Sequence, residues 1–179
     1  SNTKDRDVYC ILKTPNHAFF IGTSKGIYRH ESTSGSWSQI LLLRGEFSST
    51  CKLLCDHSNP TTLYAATLQG LYKTSDEGFT WKKIFSGLGA KKQVYDIVQD
   101  HDNPHTFFIA TAKGIYKTIN AGRSWKRLDT TFTSESIFHL AFSPDKKQAL
   151  YAIGENKIFS INLAASSREI IFHLSKAQE

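Results

Sequence analysis

The sequence predicts an all-β fold, a β-propeller or part of one, assembled from about four four-stranded antiparallel units. Three observations carry this expectation: a motif set recurring at a fixed interval, short alternating segments between turn signals, and a composition rich in aromatic residues. The interval is the strongest of the three, because self-similarity at a fixed period decides the whole architecture. Phe19-Phe20-Ile21-Gly22-Thr23 is echoed by Leu63-Tyr64-Ala65-Ala66-Thr67 and by Phe107-Phe108-Ile109-Ala110-Thr111. Gly-Ile-Tyr or Gly-Leu-Tyr follows at Gly26, Gly70 and Gly114, then Trp37, Trp81 and Trp125, and every step is 44 residues. A worn fourth copy keeps Leu150-Tyr151-Ala152 and Lys157-Ile158-Phe159 but has no tryptophan.

Each unit reads as short strands between turns. In the third, Val94–Gln99 alternates as a first strand, and Asp102-Asn103-Pro104 then bends the chain and removes a backbone donor. Thr106–Thr111, Gly114–Thr118 and Ser124–Leu128 read as the second, third and fourth strands. Four strands of about six residues make one antiparallel meander, a propeller blade. Such a sheet has two apolar faces, which neighbouring units must cover. The expected units are 7–46, 47–91, 92–133 and 134–174 within a single propeller, or part of one, over 1–179. No half blade is apparent at either end. Four blades is the minimum for closure, so completion of the ring by a second copy or by further sequence is expected.

Composition fits this picture. At 179 residues with 40% hydrophobic content, the chain can bury a sizeable core and lies outside the disordered class. Aromatic residues, at 12%, suit half-buried pleated surfaces. No apolar run approaches the roughly 18 residues of a membrane-spanning helix. Residues 1–7 are polar and lack the apolar stretch of a signal peptide, so a secreted chain would already have lost its signal. An extracytoplasmic site, periplasmic or secreted, is the expected compartment.

The net charge of +6 is spread over every unit, as on a solvated outer surface. Lys82, Lys83, Lys126 and Arg127 follow the tryptophans at equivalent positions, where lysine discourages edge-to-edge pairing. Nucleic acid is not an expected partner. Cys51 and Cys55, four apart in a strand, would sit about 13 Å apart, too far to bridge. Cys10 could meet one of them across units, but three cysteines leave one free, and buried structural thiols are expected.

Between its third and fourth strands the second unit reads Thr74-Ser75-Asp76-Glu77-Gly78-Phe79-Thr80-Trp81. The third reads Thr118-Ile119-Asn120-Ala121-Gly122-Arg123-Ser124-Trp125. The first, His30 to Trp37, keeps only the tryptophan and a displaced Gly35. In this pattern Asp or Asn accepts amides and closes the turn. Glycine permits an angle other residues resist, the hydroxyls satisfy turn groups, and tryptophan covers the hairpin's apolar edge. The motif resembles the Asp-box, Ser/Thr-x-Asp-x-Gly-x-Ser/Thr-Trp. Through it, residues 7 to about 160 are similar to the bacterial neuraminidase (BNR) repeat superfamily of sialidases, sortilin-like receptors, xyloglucanases and the photosystem II assembly factor. That resemblance implies the propeller fold, with Thr74, Asp76, Gly78, Thr80, Trp81, Thr118, Asn120, Gly122, Ser124 and Trp125 as structural residues. It says little about activity, because function lives in sites grafted on folds.

A sialidase resemblance would require an arginine triad, a tyrosine nucleophile with a glutamate partner, and an Arg-Ile-Pro segment. The chain has no Arg-Ile-Pro, and its arginines (6, 29, 44, 123, 127 and 168) fall mostly on predicted outer strands or turns. Other glycoside hydrolysis needs two carboxylates about 5–10 Å apart in one cleft. Central-channel positions align as Cys10, Lys52, Asp96 and His139, with a single carboxylate. Lys52, Asp96 and His139 are the candidate binding residues, and a structural Asp96–His139 pair is preferred over an acid–base couple. His101 and His105, flanked by Asp100 and Asp102, repeat the loop at Asp56-His57 and read as turn chemistry rather than a metal site. No catalytic residue, metal or cofactor is expected. The expected function is a non-catalytic protein-interaction or assembly scaffold with a protein partner. The alternative is a glycan-binding or glycoside hydrolase-type propeller, part of a larger enzyme.

Overall fold

A computed structural model describes residues 7–87, 92–128, 135–143, 149–165 and 167–173. The expected unit limits at 91, 133, 134 and 174 lie outside the described residues. Every element among the described residues is a strand, and the strands form four four-stranded antiparallel sheets in simple meander order. The first sheet holds β1 (Val8–Lys13), β2 (Phe19–Thr23), β3 (Gly26–His30) and β4 (Trp37–Leu42). The second holds β5 (Thr50–Cys55), β6 (Leu63–Thr67), β7 (Gly70–Thr74) and β8 (Lys82–Phe85). The third holds β9 (Val94–Gln99), β10 (Phe107–Thr111), β11 (Gly114–Thr118) and β12 (Lys126–Arg127). The fourth holds β13 (His139–Phe142), β14 (Ala149–Ile153), β15 (Lys157–Asn162) and β16 (Ser167–His173). Successive first strands lie side by side, β1 by β5, β5 by β9 and β9 by β13. This is the propeller arrangement of four blades.

Strand β12 is shorter than the expected Ser124–Leu128. The Ser124 amide is taken by Asn120 Oδ1 at 2.9 Å, so the ladder cannot begin until the turn is finished. The tight turns between second and third strands repeat to the atom. Thr23, Thr67 and Thr111 each donate Oγ1 to the carbonyl of Gly26, Gly70 or Gly114, at 3.0, 2.8 and 2.7 Å. Gly70 sits at φ 126°, and a Cβ there would lie 2.3 Å from the Phe85 carbonyl oxygen of the outer strand.

The core lies between sheets. Phe20 and Ile27 of the first sheet pack on Leu53, Leu63 and Ala65 of the second. Tyr64, Ala66 and Leu71 leave the second sheet's other face and pack on Ile97, Phe107 and Ile109 of the third. Phe108, Ala110 and Ile115 pack on Leu140, Leu150 and Phe159 of the fourth. Alternation thus sends adjacent residues such as Leu63 and Tyr64 into different cores. The outer faces at the two ends of this array are uncovered. Ile11 is 67% exposed, whereas Leu53 and Ile97, at the same place in the next two sheets, are 5% and 0% exposed. Trp37 is exposed for the same reason, while Trp81 and Trp125 pack against the preceding sheet. At the far end Ile153 and Phe172 are exposed.

The Asp-boxes lock the turns before the outer strands. Asp76 takes the Thr74 hydroxyl at 2.5 Å, the Thr80 amide at 2.9 Å and the Thr80 hydroxyl at 2.6 Å. Gly78 donates its amide to Thr74 Oγ1 at 3.0 Å, and the Trp81 indole donates to the Gly78 carbonyl at 3.0 Å. The third sheet repeats this through Thr118, Asn120, Gly122 and Ser124, with Asn120 Nδ2 now donating to Ser124 Oγ at 2.8 Å. Two features go beyond the sequence pattern. The residue before the glycine is also left-handed, with φ 55° at both Glu77 and Ala121. Its amide is held by an earlier loop, Glu77 by the Thr61 carbonyl and Ala121 by that of His105. Gly78 also permits contact: a Cβ would lie 2.8 Å from Ile40 Cδ1 of the preceding sheet.

Phe107→Ala should destabilise the chain by about 3–5 kcal/mol in urea titrations, because it empties a sealed inter-sheet core. Phe19→Ala, the same position on the uncovered first sheet, should cost under about 1 kcal/mol, and equal costs would contradict the stacking scheme. Hydrogen bonds from Thr74 and Thr80 hold the Asp76 carboxyl down to about 2, against an ordinary 3.8. Its folded-state value is depressed, so its contribution is complete above the ordinary value and is lost as pH falls toward 2. Asp76→Asn, which copies Asn120, should therefore show a smaller drop in Tm on acidification than the wild type. An identical drop in both would refute this assignment.

Candidate functional site

The four positions expected to face a central channel lie on the first strands, and the structure treats them differently. Asp96 is buried. A register slip in β9, between its pairings at Val94 and Asp96, places the Asp96 side chain beside its own following amide. Its Oδ1 accepts Ile97 N at 2.8 Å, and its Oδ2 accepts Leu140 N of the fourth sheet at 3.0 Å. His139, at the start of β13, brings Nδ1 to 3.8 Å from Asp96 Oδ2 while most of its side chain faces solvent. Lys52 is exposed, and Cys10 is half-buried with its Sγ 3.7 Å from the Thr50 carbonyl. The structure therefore joins Asp96 to His139 and leaves Lys52 without a carboxylate at hand among the described residues. Asp96 acts foremost as a clasp between the third and fourth sheets.

All three cysteines are free thiols and only partly buried. Burial pushes the Cys10 and Cys51 thiols up, to about 11 and about 12. Both are protonated at neutral pH and poor nucleophiles.

The histidine loop is turn chemistry with an added inter-sheet contact. Asp100 Oδ1 accepts the amides of Asp102 and Asn103 at 2.9 and 3.2 Å. The His101 ring stacks on His57 with centroids 5.7 Å apart, and His57 Nε2 lies 3.0 Å from the Asp100 carbonyl. Among the described residues no three His, Cys, Asp or Glu side chains are grouped to hold a metal ion.

Two junction networks were not foreseen from the sequence. Gln99 donates Nε2 to Asp56 Oδ1 at 3.0 Å and accepts the His57 amide at 3.0 Å, bolting the third sheet to the second. Burial pushes the Asp56 carboxyl up, but hydrogen bonds from Gln99 and Ser58 outweigh it and hold it below the ordinary range. At the first junction, Arg29 lies 3.6 Å from the Glu77 carboxylate and its guanidinium rides 4.6 Å above the Phe79 ring. Asn16 Nδ2 donates to Glu77 Oε1 at 2.8 Å. The signal for both was the 44-residue offset read position by position: Gln99 and Glu77 stand where the other repeats carry different residues.

The geometry has counterparts in solved propellers. The extracellular domain of a hybrid two-component system from B. thetaiotaomicron superposes with a TM-score of 0.75 at 12% identity, over 97% of this chain and 25% of that one. The GH74 xyloglucanase of Xanthomonas campestris gives 0.71 at 14% identity, over 90% and 30%. The GH74 enzyme of Niastella koreensis gives 0.72 at 16% identity, over 92% and 30%. The chain thus spans between a quarter and a third of the length of these structures, and the likeness is one of fold. No curated protein matches the chain. The family model described as Sortilin, neurotensin receptor 3 (Sortilin-Vps10) matches residues 69–173, which includes both complete Asp-boxes. With its repeated blades and that match, the chain belongs to the Sortilin-Vps10 family of Asp-box propellers.

Proposed function

We propose that the chain is a non-catalytic interaction or assembly scaffold, a rigid propeller body, in units near 7–46, 47–91, 92–133 and 134–174, whose channel-mouth loops meet a protein partner. The state of Asp96 supports this reading. Both of its oxygens accept backbone amides, one within its sheet and one across the junction. A carboxylate committed in this way is poorly placed to relay protons. The other channel positions, Cys10, Lys52 and His139, supply no second carboxylate for glycoside hydrolysis. Lys52 and His139 remain the exposed channel groups open to a partner.

The uncovered faces at the two ends of the array suit further blades, and the proposal includes completion by a second copy. In-chain junctions supply the template: the Tyr64 and Phe107 rings meet in a tilted contact with centroids 4.6 Å apart. Tyr151 and Phe19 hold the same two repeat positions on the open faces, so a neighbouring chain would re-create that contact. Location outside the cytoplasm is part of the proposal, supported by the likeness to the extracellular domain of a hybrid two-component system. No helix among the described residues is long and apolar enough to cross a membrane.

Incubation with a panel of plant and bacterial glycans should release no reducing ends. Cleavage that disappears in Asp96→Asn would replace the scaffold with a hydrolase. Light scattering should give a mass above the 20.2 kDa of one chain, and a single species at that mass would exclude completion by self-association.

A further inference from the structure

The first junction carries its own counter-ion, and among the described residues the second does not. One repeat after Arg29, Glu77 and Phe79, the corresponding positions are Lys73, Ala121 and Arg123. Ala121 keeps the left-handed backbone of Glu77, and its amide is anchored in the same manner. The turn therefore has the same shape, but the carboxylate is missing and a cation stands nearby. Strand register adds a further charge: Lys73 opposes Lys82 across β7 and β8, where Arg29 opposes only Ser38. Like charges directly opposed destabilise a sheet unless something neutralises them.

The result is a cleft of about 590 Å³ between the second and third sheets, lined among the described residues by Lys73, Lys82, Ile84 and Arg123 and by no acidic side chain. Among the described residues, none of these cations is paired with a carboxylate. The adjacent Asp76 is committed to Thr74 and Thr80. The next junction repeats the opposition, Lys117 facing Lys126, beside a second cleft of about 400 Å³ that also meets Trp125 and Leu128.

We propose that the second junction is a carboxylate-binding cleft. It takes an Asp or Glu side chain from an acidic polypeptide segment into the place that Glu77 fills one junction earlier. Two features favour a peptide carboxylate over phosphate. The structure's own occupant of the equivalent position is a glutamate. Ile84 offers apolar contact to the residues flanking the acid. The site extends the scaffold proposal to a lateral surface away from the channel, and the hydrolysis test there is independent of it.

The test is a titration of the full chain with a short fluorescein-labelled Glu-rich peptide, followed by anisotropy. Saturable binding that weakens with added salt is expected. Ala121→Glu installs the missing carboxylate on a backbone that already carries glutamate at position 77, and should weaken peptide binding about tenfold or more. Lys73→Gln with Lys82→Gln should do the same, while Lys25→Gln, in a turn at the opposite end of its sheet, should leave it unchanged. Circular dichroism confirms that each variant is folded, and either cleft variant suffices if the other is not. The proposal is overturned if the wild type does not bind, if both folded cleft variants bind like the wild type, or if inorganic phosphate or an oligonucleotide displaces the label better than unlabelled peptide.

Discussion

The contact between the apolar faces of neighbouring sheets governs the rest of this molecule. A single meander of five-residue strands has too little one-sided core to stand alone. Here each internal sheet sends alternate residues to opposite sides, so that Leu63 and Tyr64, adjacent in sequence, close two different cores. Burial at roughly 25 cal/mol per Å² of apolar surface makes each junction the main source of stability. It also fixes the order of sheets, because a trailing face such as that of Tyr64 and Leu71 meets the leading face of Phe107 and Ile109. Ile11 and Trp37 at one end, and Ile153 and Phe172 at the other, show what the same positions look like without a neighbour.

The turns serve this stacking. In the second sheet's Asp-box, Asp76 and the hydroxyls of Thr74 and Thr80 satisfy the turn internally. Gly78 lets it press against Ile40 of the preceding sheet, and Trp81 seals the gap from the side. In the third sheet, Asn120 performs the same closure with a donor in place of an acceptor. Polar clasps then add register to apolar adhesion: Gln99 to Asp56, and Asp96 to the Leu140 amide. Each crosses from one sheet to the next and fixes their relative alignment.

Much of this was legible in the chain. Repeats 44 residues apart specify a stack of like sheets, because strands of matching pattern must bury matching faces, and the glycine and hydroxyl positions specify the turns by local stereochemistry alone. The extent of β12 was overestimated because turn hydrogen bonds claimed the Ser124 amide first. Asp96 was read from the sequence as the one carboxylate among the four aligned first-strand positions, but its bond to the Leu140 amide was invisible, since Leu140 is far away along the chain. The same holds for Arg29 with Glu77, and for the stacked rings of His57 and His101.

Periodicity, turn chemistry and the Asp-boxes therefore determined the class of fold and its unit without help from coordinates, because these depend on residues within one meander. Tertiary structure alone decided which faces remain open, which carboxylates are occupied, and where, among the described residues, a cation faces no carboxylate. Those properties arise at junctions, where residues of different repeats meet. The charge at such a meeting depends on the difference between Glu77 and Ala121, which acquires meaning only when the opposing Arg29 and Lys73 are placed across the gap.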